Sequence, residues 1–549
     1  MTRRDFIGTS ALAAICGGCG TFNIGTSRGR RPKPSETLTL AVIGCGPMGD
    51  YNMSAFLRDP RVRVTHVCDP IAESAYHGYN ASTPHGREVF KRKVDKRYGT
   101  TATKSVADFR EIINDPTIDA VLISTGDYWH APIGVAAMKA GKHVYCQKPM
   151  TLGISEGWAM IAAAKEHGIT FQVGSQQRSA SEFRVVAEII RNGLLGECKS
   201  CTIGLCYAHN DGLKQKYTRD CTPSPIPDWF SPKDAMWNLY QGPAQHWENN
   251  AYIPAIHAPV CWRWNSRTGN GSIADWGAHH FDILQWALGT ELSGPVAIEN
   301  VKTDIFDPAV TNRYLDQAKS YQFDIVYANG FRAHVGDKET IGFNGLKFHG
   351  EKGDLFVARG KLELPESLRH WKETDLKDSD IHLYHNAHAK GCHEHDFVDA
   401  VYEGRQPVCP VEIGHRSATI CHLANIAARL GRTNVKWDPV KERILGDDEA
   451  NARIFVNNVR LLSYHGTMTY RVWEDCTMTK CELGESDSDP WAMFPVREML
   501  GGGWTTLDIG LLGTLKEEPV EYDATFIGKL LSGKYDSPQF GYMTRMLEL

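Results

Sequence analysis

The chain has 549 residues, of which 42% are apolar and 23% charged, and 60 basic against 65 acidic side chains leave a formal net charge of −5. That length exceeds one ordinary domain and leads to two or three units, each able to bury a core without disulfides or metals. The near balance of charge gives no footing for nucleic acid or an anionic membrane surface, so neither is expected as a partner.

The first element is an address. Thr2-Arg3-Arg4-Asp5-Phe6-Ile7 matches the twin-arginine export pattern, and the Ala- and Gly-rich run Ile7 to Gly20 is too short and too weakly apolar to span a bilayer. A periplasmic or otherwise exported protein is expected. Cys16 and Cys19 end the run, and either could carry a lipid anchor, although Ala14-Ile15 and Gly17-Gly18 fit a lipobox poorly. Anchored and free forms both stay open. Arg28 to Pro34 is basic, contains Pro and reads as a linker. Among the 15 Cys, the spacing of Cys198, Cys201 and Cys206 does not repeat as a zinc framework would. Cys45, Cys68 and Cys146 fall in or beside apolar runs, where a thiol behaves as a small hydrophobe. The twin-arginine route moves folded proteins, so buried thiols can stay reduced even in an oxidising compartment.

Leu38 to Ile43 is a mostly apolar run suited to a buried parallel strand. Gly44-Cys45-Gly46-Pro47-Met48-Gly49 follows at once, and a helical pattern runs on to about Arg58. This is G-x-G-x-x-G in strand–turn–helix context. Gly44 permits the turn, Gly46 lets the backbone approach a pyrophosphate and Gly49 lets helix and strand pack closely. The helix N-terminus offers free N–H groups to phosphate. A second strand, Val62 to Cys68, ends at Asp69, twenty residues past Gly49, where a carboxylate can take the adenosine ribose hydroxyls. Pro70 follows rather than a basic residue, so a 2′-phosphate would face an unpaired charge, and NAD is expected over NADP. The alternation continues with a strand at Ala120 to Ser124, a helix at Pro132 to Ala140, a strand at Lys142 to Cys146, a helix at Ile154 to His167 and a strand at Thr170 to Val173. A doubly wound sheet results, with ligands at the carboxyl ends of its strands. Those ends carry Ser124-Thr125-Gly126-Asp127 and Gln147-Lys148-Pro149.

Four stretches then resemble the Gfo/Idh/MocA oxidoreductases: Gly44 to Gly49, Ser124 to His130, Gly141 to Pro149 and Gly271 to His279. The resemblance covers about Leu38 to Pro439. The third stretch departs from the family's Glu-Lys-Pro by carrying Gln147, which keeps a hydrogen-bonding group but removes a charge beside Lys148. The resemblance implies an α/β chain: a Rossmann domain plus an α+β domain with a large, mostly antiparallel sheet. It also implies a homo-oligomer formed through that sheet. Tyr321 to Tyr327, Phe331 to Val335, Gly345 to His349 and Asp354 to Ala358 are strand-like runs that agree. The expected division is 1–34 signal and linker, 35–165 NAD-binding domain, 166–440 substrate and sheet domain, and 441–549 an extension of unknown role. By the resemblance, Gly44, Cys45, Gly46, Pro47, Met48, Gly49, Asp69, Ser124, Thr125, Asp127, His130, Gln147 and Lys148 hold the cofactor. Lys148 stabilises charge on a reacting hydroxyl oxygen, and His279 takes its proton. Asp275 lies four residues before His279, which on one helix puts both on one face. His280 and Asp282 compete for the base role. Trp262, Arg263, Tyr207 and His280, with His209 and Trp264 near them in sequence, are candidates for a sugar or polyol pocket.

His382, His385, His388, Cys392, His393 and His395 crowd together, but their spacing is not a metal framework, and Phe397-Val398 starts an amphipathic helix, so no metal is expected. Three readings follow. The leading one is an NAD-dependent oxidoreductase acting on a sugar, glycoside or polyol. The second is a redox-neutral glycosidase or epimerase with tightly bound NAD, and the third a sugar-binding protein without catalysis.

Overall fold

In the computed structural model the described residues are 29–33, 35–74, 83–206, 221–242, 251–257, 261–305, 314–383 and 392–454, together with four short strands between 460 and 520. Residues 1–28, with the export motif and both candidate anchor cysteines, lie outside them, as do Tyr207 and His209.

The apolar runs of the first half form a six-stranded parallel sheet. Its strands are β1 (Leu38–Ile43), β2 (Val62–Cys68), β3 (Lys104–Val106), β4 (Ala120–Ile123), β5 (His143–Cys146) and β6 (Phe171–Val173), in the order β3-β2-β1-β4-β5-β6. Helices α1 (Pro47–Phe56), α2 (Arg87–Tyr98), α3 (Phe109–Asn114), α4 (Asp127–Lys139) and α5 (Ile154–Glu166) connect them. With both faces covered, β4 and β5 are buried at every position, which is why they read as continuous apolar runs rather than alternating ones. Order reverses between β1 and β4, and the crevice at that switch point is where ligands bind in such sheets.

Three expectations are corrected here. Helix α4 starts at Asp127 and carries Pro132 inside it, rather than starting at Pro132. Gly126, extended at the N-cap, sets the start, so the chain reaches the crevice already helical. The parallel sheet continues through β6 to Val173, past the boundary expected at 165. The expected linker is docked in its described part: Gly29 N–H donates to the His167 carbonyl (3.1 Å), and Arg30 pairs with Asp119 (2.7 Å).

The second half builds a nine-stranded sheet from β7 (Cys198–Leu205), β8 (Ala297–Ile305), β9 (Ala318–Val326), β10 (Arg332–Asp337), β11 (Gly345–Gly350), β12 (Gly353–Ala358), β13 (Lys361–Glu363), β14 (Val435–Asp438) and β15 (Arg443–Leu445). Only the β7–β10 pairing is parallel. Period-2 alternation puts Phe323, Ile325, Ala333, Val335, Leu346 and Phe348 on one face, against α6 (Ser181–Arg191), α9 (Gly277–Leu288) and α11 (Val411–Arg429). The other face is polar, with Arg332 beside Glu299 and His334 beside Asp324.

The halves are interlocked. Helix α10 (His393–Glu403) returns to the parallel sheet, where Phe397, Val398 and Val401 pack with Phe56 and Tyr145, each such burial contributing about 1.5–3 kcal/mol. The expected end of the sheet domain at 440 is also too early, because β15 closes a hairpin on β14. Glu442, just before β15, is partly buried against His415, Arg416 and Trp158, and these partners lower its pKa to about 2 against the opposing effect of burial. Farther along, Arg460–Leu462 pairs with Trp491–Met493 and Trp504–Ile509 with Leu515–Val520. No helix among the described residues is long and apolar enough to cross a membrane.

Candidate active site

A cleft of about 700 Å³ runs along the carboxyl ends of β1, β2, β4 and β5 and is closed on its other side by residues of the second half. At its centre is the turn after β1. Gly44 has φ +96°, and a Cβ there would lie 2.5 Å from the Ser124 carbonyl oxygen. A Cβ on Gly49 would lie 2.1 Å from the Gly44 oxygen, so both glycines are demanded by packing. Gly46 differs: a Cβ there meets nothing within 4 Å and would point into open space. Gly46 caps α1 without a side-chain hydrogen bond, and the first intrahelical bond is from Asp50 N–H, so the N–H groups of Met48 and Gly49 face the cleft end of the helix. Ser124 Oγ is buried beside the turn with no partner. Free donors at a helix N-terminus and clearance at Gly46 fit a dinucleotide diphosphate.

Asp69 ends β2 at one end of the cleft. Its Oδ2 accepts from Cys45 N–H (2.8 Å) and its Oδ1 from Ile71 N–H (2.9 Å), which fixes the carboxylate where an adenosine ribose would lie. The nearby Arg87 donates to the carbonyls of Asp69 and Pro70, at 3.0 Å each.

The opposite end gathers charged side chains. Lys148 Nζ donates to Asp275 Oδ1 (2.7 Å) and to the Asp275 carbonyl (2.8 Å). Arg263 Nε lies 3.3 Å from the same Oδ1, and its guanidinium stacks on Trp262 at 4.3 Å. Lys148 and Arg263 hold the Asp275 carboxyl far below its ordinary range despite burial. Asp127 lines the same place, buried, with Oδ1 unpartnered. Burial pushes its pKa up to about 8, and Asp275 adds to the shift while Arg263 and Lys148 oppose it. Two carboxyl groups in one cleft are thereby driven apart in acidity. His279 is 5% exposed, with Nδ1 unpartnered. Burial first, then Lys148 and Arg359, lowers its pKa well below the ordinary imidazole value, so the ring is held neutral.

Asp275 and His279 meet at the cleft, but not on one helix as the spacing suggested. Helix α8 (Gly271–Asp275) ends at Asp275, Trp276 interrupts, and His279 lies in the first turn of α9.

Of the other residues expected in the site, Gly44, Gly46, Pro47, Met48, Asp69, Ser124, Thr125, Gln147, Trp262 and Arg263 line the cleft. Other expected residues do not, among them Trp264, which is buried in a core cluster with Ile253 and Ile256. The Cys45 side chain is buried in the core under the turn, its Sγ on the Cys68 carbonyl. Gly49 is packed beneath the helix start. His130 is buried between the carbonyls of Pro149 (2.8 Å) and Thr125 (3.2 Å), bracing the two strand-end loops. His280 points away from its neighbour, to Asn344 Oδ1 (3.1 Å), because adjacent helical residues face about 100° apart. Asp282 is buried against Arg178 (2.7 Å), so neither competitor of His279 reaches the cleft. Gln147 Nε2 donates to Asn52 Oδ1 (2.7 Å), and Asn52 Nδ2 donates to Glu394 Oε1 (2.5 Å). The carboxylate absent at position 147 thus recurs two links away, on α10. His393 is a core residue between Ser179 Oγ (2.7 Å) and the Val173 carbonyl (2.7 Å). Residues 384–391 of the His-rich stretch lie outside the described residues.

Sequence reading missed Tyr128, Trp129, Leu239, Tyr240, Gln177, Trp276 and Arg359 as lining residues. Arg359 stacks on Trp276 (4.7 Å), and Gln177 bridges to it, with its amide nitrogen toward the His279 carbonyl (3.1 Å) and its oxygen toward Arg359 Nε (3.3 Å). Tyr128, Trp129 and Trp276 carried a signal, since they fall within the Ser124 to His130 and Gly271 to His279 stretches.

The chain is 26% identical over 255 residues to levoglucosan dehydrogenase of Pseudarthrobacter phenanthrenivorans, covering 46% of this chain and 52% of that one. It is 32% identical over 111 residues to myo-inositol 2-dehydrogenase of Thermotoga maritima, covering 20% and 33%. It is 27% identical over 212 residues to an alpha-N-acetylgalactosaminidase of Shewanella oneidensis, covering 36% and 44%. The aligned part thus spans about half or less of each relative. A solved structure of levoglucosan dehydrogenase with NADH and levoglucosan aligns at TM-score 0.49 and 19% identity, over 73% of this chain and 99% of that one. Residues 38–175 match the description "Oxidoreductase family, NAD-binding Rossmann fold", and residues 180–462 match "Oxidoreductase family, C-terminal alpha/beta domain". These two matches take in both sheets and every charged group of the cleft, and the chain belongs to the Gfo/Idh/MocA oxidoreductase family.

Proposed function

We propose that the protein is an exported, NAD-dependent oxidoreductase acting on a hydroxyl of a sugar, glycoside or polyol. The observation that carries this reading is the meeting, in one cleft, of a dinucleotide turn with Lys148, Asp275 and a neutral His279. A nicotinamide bound there supplies the hydride acceptor. Lys148 donates a hydrogen bond to the reacting oxygen and stabilises its developing charge. Asp275 holds the ammonium in place. His279, neutral and with a free ring nitrogen, accepts the hydroxyl proton. Asp69 supports NAD over NADP, since the neighbouring Arg87 is committed to backbone carbonyls and leaves the carboxylate to repel a 2′-phosphate.

The names of two relatives, a levoglucosan and a myo-inositol dehydrogenase, support a sugar or polyol substrate. The alpha-N-acetylgalactosaminidase supports a second reading, in which oxidation is transient and a glycosidic bond is cleaved with no net redox change. The test is to mix purified protein and nucleotide with a panel of sugars, polyols and glycosides, following nicotinamide absorbance and product mass. Reduced NAD with an oxidised sugar is the expected result. A cleaved glycoside without net reduction moves the assignment to the second reading. Sugar binding with neither product leaves a binding protein and sinks the enzymatic one.

A further inference from the structure

Asp275 holds Lys148 by its ammonium, and a different set of residues holds its main chain. The Lys148 N–H donates to Oε1 of Gln147 (3.3 Å), the residue before it, just past the end of β5. Gln147 Nε2 donates to Asn52 Oδ1 (2.7 Å) on α1, and Asn52 Nδ2 donates in turn to Glu394 Oε1 (2.5 Å) on α10. All three of these side chains are buried. One hydrogen-bonded chain thus runs from a carboxylate in the core to the backbone of the cleft lysine.

The direction of this chain is set at its far end. A carboxylate only accepts, so Asn52 must turn its NH2 group toward Glu394 and its oxygen toward Gln147. That oxygen also only accepts, so Gln147 must give its own NH2 group to Asn52. What remains of the Gln147 amide is Oε1, the acceptor that the Lys148 N–H needs. Turning either amide alone would set oxygen against oxygen at one link and N–H against N–H at the next. Packing seats the last amide: a Cβ on Gly174 would lie 2.7 Å from Gln147 Nε2 and 3.0 Å from its Oε1.

Glu394 is 3% exposed. Its hydrogen-bond partners among the described residues are neutral: Asn52, Tyr145 Oη (3.4 Å) and the Cys392 thiol (3.4 Å). It lies in the first turn of α10, where the helix dipole favours a negative charge. A carboxylate taken out of water with only such partners is still costly, and an apolar side chain would serve the packing of α10 better.

We propose that Glu394 and Asn52 are positioning residues for Lys148: the buried carboxylate fixes the direction of the Asn52 and Gln147 amides, and the last amide fixes the Lys148 backbone while Asp275 holds its ammonium. The inference rests on the reading of Lys148 given above and deepens it. Neither Glu394 nor Asn52 lines the cleft; both act through Gln147, which does.

The test reverses the chain. Glu394→Gln keeps the size of the side chain but no longer dictates a direction. Gln147→Glu sets a second carboxylate against Asn52 Oδ1, so both ends demand the same NH2 group. In the double variant the Asn52 amide can turn round, donating to the new carboxylate at position 147 and accepting from the new amide at position 394. Two quantities are measured on the full-length protein: deuterium exchange of the peptide containing the Lys148 N–H, without ligand, and the rate of nicotinamide reduction with levoglucosan or myo-inositol as hydride donor. Each single variant should exchange that peptide faster and reduce NAD about two- to ten-fold more slowly, the span of one neutral hydrogen bond. In Glu394→Gln this loss should come without an equal loss of NAD affinity. The double variant should exchange more slowly and reduce NAD faster than either single one, because changes within one network do not add. Two unrelated lesions in the core would add instead, so a merely structural role gives no such recovery. Gln147→Glu compared with the double variant carries the test if Glu394→Gln alone does not fold. Wild-type exchange and rate in Glu394→Gln, or a double variant that fails to exceed both single ones, overturns the proposal. Exchange is read without substrate, so failure of both compounds to reduce NAD counts against the oxidoreductase reading and leaves this test standing.

Discussion

Lys148 and His279 were named from sequence, but what they do depends on neighbours that sequence does not display. Lys148 lies 2.7 Å from Asp275, 127 positions along the chain, and that pairing aims its ammonium into the cleft. Removing one preorganised donor of this kind costs ~10²–10³ in turnover, so Lys148→Ala should lower the rate of nicotinamide reduction by that factor, far more than it weakens nucleotide binding. Rapid-mixing measurements of reduction, beside equilibrium binding, check both halves. His279 adds a pH signature. Its folded pKa is lowered by burial and then by the positive charge of Lys148 and Arg359, so the neutral base persists below the ordinary imidazole value of about 6.5. The acid limb of the reduction rate should therefore lie well below pH 6.5 in wild type. Removing the Lys148 charge raises the His279 pKa, so the limb of the residual activity in Lys148→Ala should move to higher pH. An unmoved limb would detach His279 from the proton transfer.

The turn between β1 and α1 separates at the level of elements what a glycine does for the fold from what it does for a ligand. Gly44 and Gly49 are required by contacts of 2.5 and 2.1 Å, and Gly44 also by its positive φ, whereas Gly46 faces open space. Gly46→Ala should therefore keep the melting temperature within the small range of a surface substitution, roughly ±0.5 kcal/mol in stability, and still weaken dinucleotide binding by ten-fold or more. Gly44→Ala should lower the melting temperature whether or not nucleotide is present. Thermal unfolding with and without NAD, measured on both variants, distinguishes them; equal nucleotide affinity in Gly46→Ala and wild type would place the diphosphate elsewhere. The elements were unevenly legible. Five of the six strands of the parallel sheet were readable, β4 and β5 because their apolar runs are continuous, whereas β3 is three residues that are not buried and shows no such run. The Asp275/His279 helix was read through its own break, because a spacing of four fits one helix as well as two helices meeting at Trp276. Helix α7 (Lys233–Gln241) gave no functional signal at all, since Trp237 and Tyr240 look like ordinary core aromatics until the tertiary structure sets them against Ile71 and α4.

For the molecule as a whole, the export proposal and the fold bear on each other. Cys45, Cys68, Cys146, Cys201, Cys409 and Cys421 are buried free thiols, and burial pushes each of them up, away from the reactive thiolate. A chain of this kind suits transport after folding. Replacing Arg3 and Arg4 together with Lys should leave a folded precursor inside the cell, detected by fractionation with antibody, and unchanged export of that variant would remove the twin-arginine assignment.

Sequence alone determined the features that depend on neighbours along the chain. These were the dinucleotide turn in its strand–turn–helix context, the parallel sheet that follows from alternating strands and helices, and the strand-end lysine after Gln147. Each is fixed by local periodicity or by a short spacing, and one chain segment displays it whole. Tertiary structure decided what depends on contacts between distant segments. It turned His279 toward the cleft and His280 and Asp282 away from it. It set Asp275 between Lys148 and Arg263, brought α10 back to the first sheet with Glu394 behind Gln147, and placed Leu239 and Tyr240 in the lining of the same cleft as Asp69. The physical reason is that charge pairing, desolvation and ring packing act through space at a few ångströms, and the chain positions that supply them are separated by tens to hundreds of residues.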